Sequence, residues 1–382
     1  MNAVEFVEYI IKHAHAIGAS DIHIEPMRNS YRIRMRVDGV LHSLKDIAND
    51  DAAAVAARIK VLAHLDIAQQ RLPLDGKFRY EINGQECDIR VSTFPSVHGQ
   101  TLVLRLLVGV SDTISFDQLG LDIVLQEKLY RLLQKEQGFL VVTGPTGSGK
   151  TTTLYAILTE LNNNTRNIVT LEDPVEYSLE GVTQGHINDV TGFTFARGIR
   201  SLLRQDPDII MIGEIRDAES ANIALEASMT GHLVLSTLHT NDACSTVVRL
   251  LDMGIESYLM NAALTGVLAQ RLLRKLCSEC KRPVRLDLAA LGFGIEDNLP
   301  REILVYEPVG CPSCNFFGYK GRVGVFEYVE VTEELKRIIT HQPSYELLVE
   351  QAREAGATSL AQDAFEKLVA GHISMAEFIK VA

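Results

Sequence analysis

Residues 144–151 read GPTGSGKT, which fits the pattern GxxxxGK[ST]. Such a loop does phosphate chemistry when an apolar strand precedes it and a helix follows. Both flanks are present here, as Leu140–Thr143 before the loop and 152-TTLYAILTELN after it. The loop of Gly144, Pro145, Thr146, Gly147, Ser148 and Gly149 would curl around phosphate oxygens, offering them the backbone N–H groups of its residues other than proline, with the start of the helix adding positive potential. Lys150 would reach the β- and γ-phosphates of ATP, and Thr151 would ligate magnesium. The plainer alternative, a glycine-rich turn carrying a chance lysine, does not account for the flanking strand and helix.

Three further stretches sit where a triphosphate-cleaving site needs acids and a sensor. In 170-TLEDPVEY-177, Glu172 and Asp173 follow a strand and Glu176 lies one turn on, although a polar turn closed by Pro174 reads equally well. In 208-DIIMIGEIRD-217, the apolar run Ile209–Ile212 leads into Gly213 and Glu214, where magnesium-holding sites often place an aspartate. Glu214 at that strand end could polarise an attacking water; the alternative is a surface acid paired with Arg216. In residues 230–242, His232 and His239 bracket a strand, and His239 at its C-terminal end is the better placed to meet a γ-phosphate. A lone histidine is as often structural.

These groups need a scaffold, and the patterning supplies one. Short apolar strands at 139-FLVVT, 167-NIVTLE, 208-DIIMIG and 233-LVLSTL alternate with helical stretches, which predicts a parallel sheet in an α/β domain. Upstream, Val4, Val7, Ile11 and Ala14 recur at helical spacing, with Gly18 as a stop. The stretch 31-YRIRMRVDG-39 alternates strictly, with Arg32, Arg34 and Arg36 on one face, and ends in an Asp38-Gly39 hairpin signal. A second helix is expected over 53–67, then strands at 76–82, 86–93 and 101–108. Residues 1–110 thus read as a small α+β domain, 111–118 as a linker, 119–276 as the nucleotide-binding core, 277–320 as a cysteine module and 321–382 as a helical C-terminal region.

The chain has 382 residues, 46% of them hydrophobic, which suits two or three domains with sizeable cores. A net charge of −12 argues against a nucleic-acid partner, which usually selects a basic footprint. No run approaches the length of a membrane span, and the N-terminus lacks a signal-peptide pattern, so a cytoplasmic location is expected. Cys277-x2-Cys280 and Cys311-x2-Cys314 can offer four thiolates to one tetrahedral zinc, leaving no open position and so a structural role. Cys87 and Cys244 read as single, buried residues. Six basic residues in 271–285 could face anionic lipid or an acidic partner; a solvated charged face serves as well.

Taken together, these segments resemble the ATPases of type II secretion and type IV pilus assembly. The resemblance spans nearly the whole chain and rests on 20-SDIHIEP-26, 71-RLPLDGKF-78, 88-DIRVSTFPSVHGQTLVLRLL-107, the phosphate loop, the Glu172–Asp173 segment, 204-RQDPDIIMIGEIRD-217, the histidine segment and both cysteine pairs. The forms 88-DIRVSTFPSVHG and 195-FARGIRSLLRQDPD lie nearer the type II branch. The resemblance implies a RecA-like core with an N-terminal PAS-like α+β domain, a tetracysteine metal module and a helical tail. It implies Glu214 as catalytic acid after a Gly-Glu strand end, Glu172 and Asp173 as supports for magnesium, and His232 and His239 as the histidine pair. Arg90 and Arg105 match the N-domain arginines that close over the γ-phosphate. On the alternation of Val103, Arg105 and Leu107, Arg105 is expected on an apolar face. Arg204 and Arg322 match residues at intersubunit contacts. The family implies a homohexamer acting with inner-membrane platform and cytoplasmic-domain partners, peripherally at the inner membrane. Many members carry a further N-terminal domain that docks on the membrane partner, and here the resemblance begins almost at the second domain.

Overall fold

The computed structural model of the protein describes residues 2–82, 84–108, 115–287, 302–341 and 343–382. The chain divides into two compact units, Met1–Asp112 and Thr113–Ala382.

The first unit is a six-stranded sheet with two helices. Helix α1 (Ala3–Ala16) starts at a capping box between Asn2 and Glu5, which satisfies N–H groups that the first turn leaves orphaned. Strands β1 (Ala19–Pro26), β2 (Ser30–Val37) and β3 (Val40–Ala48) precede α2 (Asn49–Leu62), and β4 (Leu74–Ile82), β5 (Gln85–Ser96) and β6 (Gly99–Val108) follow it. The sheet order is β3-β2-β1-β6-β5-β4. Val37 pairs with Val40 across Asp38 and Gly39, both at positive φ, as a tight two-residue hairpin requires. Val7, Ile11 and Ala14 of the expected stripe are buried, joined by Phe6 and Ile10, while Val4 is exposed. Ile22, Ile24, Ile33, Met35, Leu102 and Leu104 form the buried face of the sheet. Their alternates, including the three arginines of β2, point the other way.

The second unit is three-layered. Phe116 and Leu119, which the sequence reading had placed in or beside a linker, are buried in its core. Residues 109–114, which take in 111–114 of that linker, lie outside the described residues. Helix α3 (Ile123–Leu133), β7 (Gly138–Thr143), α4 (Lys150–Leu161), β8 (Ile168–Glu172), β9 (Thr183–His186), α5 (Phe195–Leu202), β10 (Ile209–Ile212), α6 (Ala218–Met229), β11 (Leu233–Leu238), α7 (Ala243–Asp252), α8 (Ser257–Ala263) and β12 (Leu264–Leu276) follow in order. A two-stranded ribbon of β13 (Arg282–Asp287) and β14 (Glu302–Glu307) fills the span between the cysteine pairs; residues 288–301 lie outside the described residues. Then come β15 (Tyr319–Glu330), α9 (Glu333–His341), α10 (Tyr345–Glu354), α11 (Leu360–Val369) and α12 (Met375–Phe378).

The main sheet has seven strands in the order β15-β12-β7-β11-β10-β8-β9. All neighbouring pairs are parallel except β12 with β15. Residues 321–330 are therefore an edge strand paired to β12, where the sequence reading had a helical region. Strand β15 carries Val323, Val325, Tyr328 and Val329, β-formers whose partner across the sheet is remote in sequence. Being buried on both faces, the inner strands read as unbroken apolar runs. One face packs on α3 and α4, the other on α5 to α11.

Ile210 is fully buried in the central strand β10. Ile210→Ala is expected to cost about 2–5 kcal/mol, read as a lower urea midpoint at unchanged slope; an unchanged midpoint contradicts this packing.

Candidate functional site

Parallel pairing puts the C-terminal ends of β7, β8, β10 and β11 on one edge of the sheet, where open α/β sheets bind ligands. Leu238 stands opposite Thr143, Ile212 opposite Ser236 and Leu171 opposite Ile212. His239, Gly144, Gly213 and Glu172 therefore emerge as neighbours. The Thr143 hydroxyl, donating to Leu238 O at 3.1 Å and accepting from Thr240 N at 3.0 Å, ties the start of the loop to the end of β11.

The loop leaves β7 at Gly144 and enters α4 at Lys150. Gly144 lies so close to β12 that a Cβ would stand 2.4 Å from Gln270 O. Gly149, at φ +90, caps α4, so the N–H groups of its first turn face the loop. The Ser148 hydroxyl is buried there without a hydrogen-bond partner. A buried orphan hydroxyl beside a helix N-terminus suits a phosphate cradle. Thr151 is exposed on the first turn. Lys150 Nζ donates to Gly144 O at 2.8 Å and Pro145 O at 3.1 Å, and lies 3.4 Å from His239 Nδ1. Burial pulls the Lys150 ammonium down to about 8, Glu214 opposes this, and Arg271 reinforces it.

A chain of charged groups continues from that lysine. His239 Nε2 is 3.5 Å from Glu214 Oε2. Glu214 Oε1 accepts from Arg216 Nε at 2.7 Å, and Arg216 Nη2 donates to Asp173 Oδ2 at 3.3 Å. Glu214 thus faces the phosphate loop and pairs with Arg216 at once, so the two sequence readings of this acid are both present. Gly213 explains why no side chain occupies the preceding position. A Cβ there would meet Leu171 O at 3.3 Å and Glu172 Cα at 3.4 Å. The strand ends are too close for a neighbour that cannot give way.

Glu172 is placed differently from Asp173. It is 3% exposed and accepts from the Tyr155 hydroxyl, from Thr170 Oγ1 at 2.6 Å and from Gln184 Nε2 at 3.1 Å. Burial, with Glu172 next, pushes the Tyr155 phenol far up, so it stays a donor. The carboxylate therefore braces β8 against α4, with its lone pairs engaged inside the core; Asp173 is the acid that faces Glu214's partner. His232 is not brought to this edge. It precedes β11, its Nδ1–H donates to Ala227 O at 2.8 Å, and its carbonyl accepts from Gly138 N at 3.2 Å. That is the opposite end of the strand, roughly 20 Å from His239 at about 3.3 Å per residue.

Gln270 and Arg271 on β12 are site neighbours that no sequence motif marks as such. Gln270 Oε1 accepts from Thr153 on α4 at 2.7 Å, and Arg271 Nη2 donates to Asn241 O at 2.6 Å just beyond His239. Arg271 falls in the basic segment 271–285, whereas Gln270, a polar residue inside an apolar strand, carries no other local signal. Several basic residues of that segment have partners elsewhere in the second unit. Arg274 bonds Glu377, Lys281 bonds Gly371 O, and Arg282 and Arg285 pair with Glu307 and Glu302. Arg282 and Arg285 themselves stay 69% and 84% exposed, at 3.4 and 3.9 Å from those acids.

In the first unit, Arg90 on β5 and Arg105 on β6 stand directly opposite each other. Arg105 is 62% exposed and its Nε donates to Asp21 Oδ1 at 2.9 Å. Its face carries Val103 and Leu107 only half-buried, while Leu102, Leu104 and Leu106 take the core side. The expectation of an apolar face for Arg105 is corrected accordingly.

The Sγ atoms of Cys277, Cys280, Cys311 and Cys314 lie within 4.8 Å of one another. Three of the separations are 3.9, 3.8 and 3.8 Å. A tetrahedral centre with metal–sulfur bonds of about 2.3 Å sets its sulfurs about 3.8 Å apart, so the donor set fits such a metal. Burial would raise the Cys314 thiol, but N–H bonds from Cys311 and Gly318 bring it down to about 7. Cys87 and Cys244 are buried and free. Among the described residues no helix is long and apolar enough to cross a membrane.

Residues 2–380 match the model of the family described as type II/IV secretion system protein. The type II secretion system protein E of Pseudomonas aeruginosa is 45% identical over 379 residues, covering 99% of this chain and 75% of that protein. The type IV pilus assembly ATPase PilB of Acinetobacter baylyi is 43% identical over 382 residues, covering 99% and 66%. The crystal structure of the pilus retraction motor PilT with bound ADP superposes with a TM-score of 0.62 at 25% identity, covering 98% of this chain and 96% of that one.

Lys150 carries a prediction. A phosphate ligand needs its ammonium, which is lost above pH 8. The Kd for a triphosphate analogue is expected to be flat below pH 8 and to rise by up to about tenfold per unit above it, a dependence that Lys150→Gln abolishes. A flat profile to pH 9.5 in the unmutated protein contradicts the assignment.

Proposed function

The chain belongs to the family of type II/IV secretion system proteins, and from that membership we propose that it is the ATP-hydrolysing motor that powers pseudopilus assembly and protein export by type II secretion. The observation that carries the reading is the convergence of Lys150, His239 and Glu214, at 3.4 and 3.5 Å, beside a glycine-rich loop. Family membership supports ATPase activity in general; the roles that follow are our assignment.

The loop 144–149 and the first turn of α4 bind the phosphates through backbone N–H groups, and Lys150 neutralises the β- and γ-oxygens. Magnesium, when bound, neutralises charge between those phosphates. Thr151 and Asp173 are the hard oxygen donors suited to hold it and its waters. Glu214 takes the proton of the attacking water, held by Arg216 on one side and His239 on the other. His239, between Lys150 and Glu214, reports the state of the γ-phosphate to the catalytic acid. Glu172 keeps the end of β8 in place through Tyr155. Arg90 and Arg105 supply positive charge to the terminal phosphoryl group as it separates. We assign a homohexameric assembly that works with inner-membrane platform and cytoplasmic-domain proteins at the cytoplasmic face of that membrane. Pilus extension would use the same chemistry with a different partner.

Zinc, when bound, crosslinks the two cysteine knuckles as a structural ion. Purified protein is expected to contain one zinc per chain, and Cys277→Ser or chelation to lower its thermal midpoint; metal analysis showing none contradicts this.

The catalytic assignment is tested by magnesium-dependent phosphate release over a range of protein concentrations. Glu214→Gln is expected to bind ATP yet hydrolyse it at least about 100-fold more slowly. Activity per subunit of the unmutated protein is expected to rise with concentration as rings form. A Glu214→Gln variant as fast as the unmutated protein would move the water-activating role to Asp173.

A further inference from the structure

Strand β12 outruns its neighbour β7. Their pairing ends with Ala269 opposite Thr143, while β12 continues to Leu276 against β15. The overhang stands as a wall beside the phosphate loop. The Gln270 carbonyl abuts the start of that loop, where a Cβ on Gly144 would lie 2.4 Å from it. The Gln270 side chain turns toward α4, where Oε1 accepts from Thr153 at 2.7 Å. Successive residues of a strand point to opposite faces, so Arg271 turns the other way, toward the segment that follows β11.

The Arg271 guanidinium bonds that segment to the wall. Its Nη1 donates to Gln270 O at 3.1 Å and its Nη2 to Asn241 O at 2.6 Å. One residue earlier, Thr240 N donates to Thr143 Oγ1 at 3.0 Å. The two residues after His239 are thus pinned, one to β7 and the other to β12. His239 itself is 48% exposed, so little packing confines its ring. Its place between Lys150 Nζ at 3.4 Å and Glu214 Oε2 at 3.5 Å follows from the course of its backbone. Burial works against the charge of Arg271, and Asp242 and Glu327 support it. A guanidinium suits the position because its donors form a rigid planar fork that can hold two carbonyls at once. An ammonium is a point charge on a flexible stem and fixes neither direction.

We propose that Arg271 is a positioning residue for hydrolysis: by fastening Asn241 to β12 it holds His239 between Lys150 and Glu214. The inference rests on the role given to His239 above. Arg271 touches neither nucleotide nor metal in this account; it acts through His239. Its charge leaves a second, separate mark. Lys150 is faced by Glu214 from the end of β10, His239 from the end of β11 and Arg271 from β12. Burial draws the Lys150 ammonium down to about 8, Glu214 opposes this, and Arg271 reinforces it. Without the Arg271 charge Lys150 keeps its proton to higher pH, and the pH above which triphosphate binding weakens moves up with it.

The test uses the full chain and measures kcat, KM for magnesium ATP, the thermal midpoint and the pH dependence of Kd for a triphosphate analogue. The variants are Arg271→Met, Arg271→Lys, His239→Ala and the double variant Arg271→Met with His239→Ala. Arg271→Met is expected to lower kcat about tenfold while KM at neutral pH stays within about twofold, as misplacement of a group acting in the transition state does. Its binding profile is expected to break above pH 8. Arg271→Lys, which keeps the charge and loses the fork, is expected to be nearly as slow, with its break left near pH 8. The double variant is expected to be no slower than His239→Ala. Losses that multiply in the double variant, or wild-type kcat in Arg271→Lys, overturn the proposal, and the latter does so even if Arg271→Met fails to fold. A break that stays at pH 8 in folded Arg271→Met removes the guanidinium from the side of Lys150 and overturns it too. If His239→Ala is slow but folded Arg271→Met is not, the Arg271 inference falls and the role of His239 stands. If His239→Ala keeps wild-type kcat, the role of His239 falls, and with it the inference, while Lys150 and Glu214 keep theirs.

Discussion

The parallel register of β7, β11, β10 and β8 is the constraint on which the site depends. Hydrogen bonding fixes Leu238 against Thr143, Ser236 against Ile212 and Ile212 against Leu171. Side chains that leave those strands at their C-terminal ends therefore have no freedom about which neighbours they meet. A shift of one residue would turn every side chain to the other face, and the two apolar layers on either side of the sheet forbid it. Gly144 is a consequence of close strand approach, since a Cβ there would strike Gln270 O at 2.4 Å, and at Gly213 a Cβ would be in tight contact with the end of β8.

On that frame the electrostatics are those of a few buried or half-buried charges in one line. Lys150, His239, Glu214, Arg216 and Asp173 alternate so that each charge has an opposite or titratable neighbour. Charges taken out of water need such neighbours, because an isolated one is costly to bury. Burial has lowered the affinity of Lys150 for its proton, so the charge is more sensitive to its surroundings than an exposed lysine would be. Asp21 follows the same rule in the first unit, where the buried carboxylate meets both Arg105 and Arg36.

The cysteine cluster solves a different problem. The span between its two pairs includes the short ribbon β13–β14, and a two-stranded ribbon has little core with which to hold itself. Four converging sulfurs at tetrahedral spacing close the base of that ribbon next to β12 and β15. Arg274 and Glu377 add a nearly buried ion pair between β12 and the C-terminal α12, so the last helices are tied to the same corner.

The sequence by itself determined the glycine-rich loop between strand and helix, the parallel α/β core, the α+β unit before it and the two CxxC pairs. Each is a local signal, in which residue types at fixed short spacing carry the chemistry or the periodicity. It also named Glu214 and His239, because both end apolar runs. What the tertiary structure decided was which of the named groups meet. Glu172 and Asp173 are adjacent in sequence, yet alternation along the strand end sends one into the core and the other to Arg216. His232 and His239 bracket one strand and so end up at opposite edges of the sheet. Strand β15, Gln270, Arg271 and the Asp21–Arg105 bond were illegible for one reason: their partners are distant in sequence, and no local pattern records a contact that exists only once the sheets have formed.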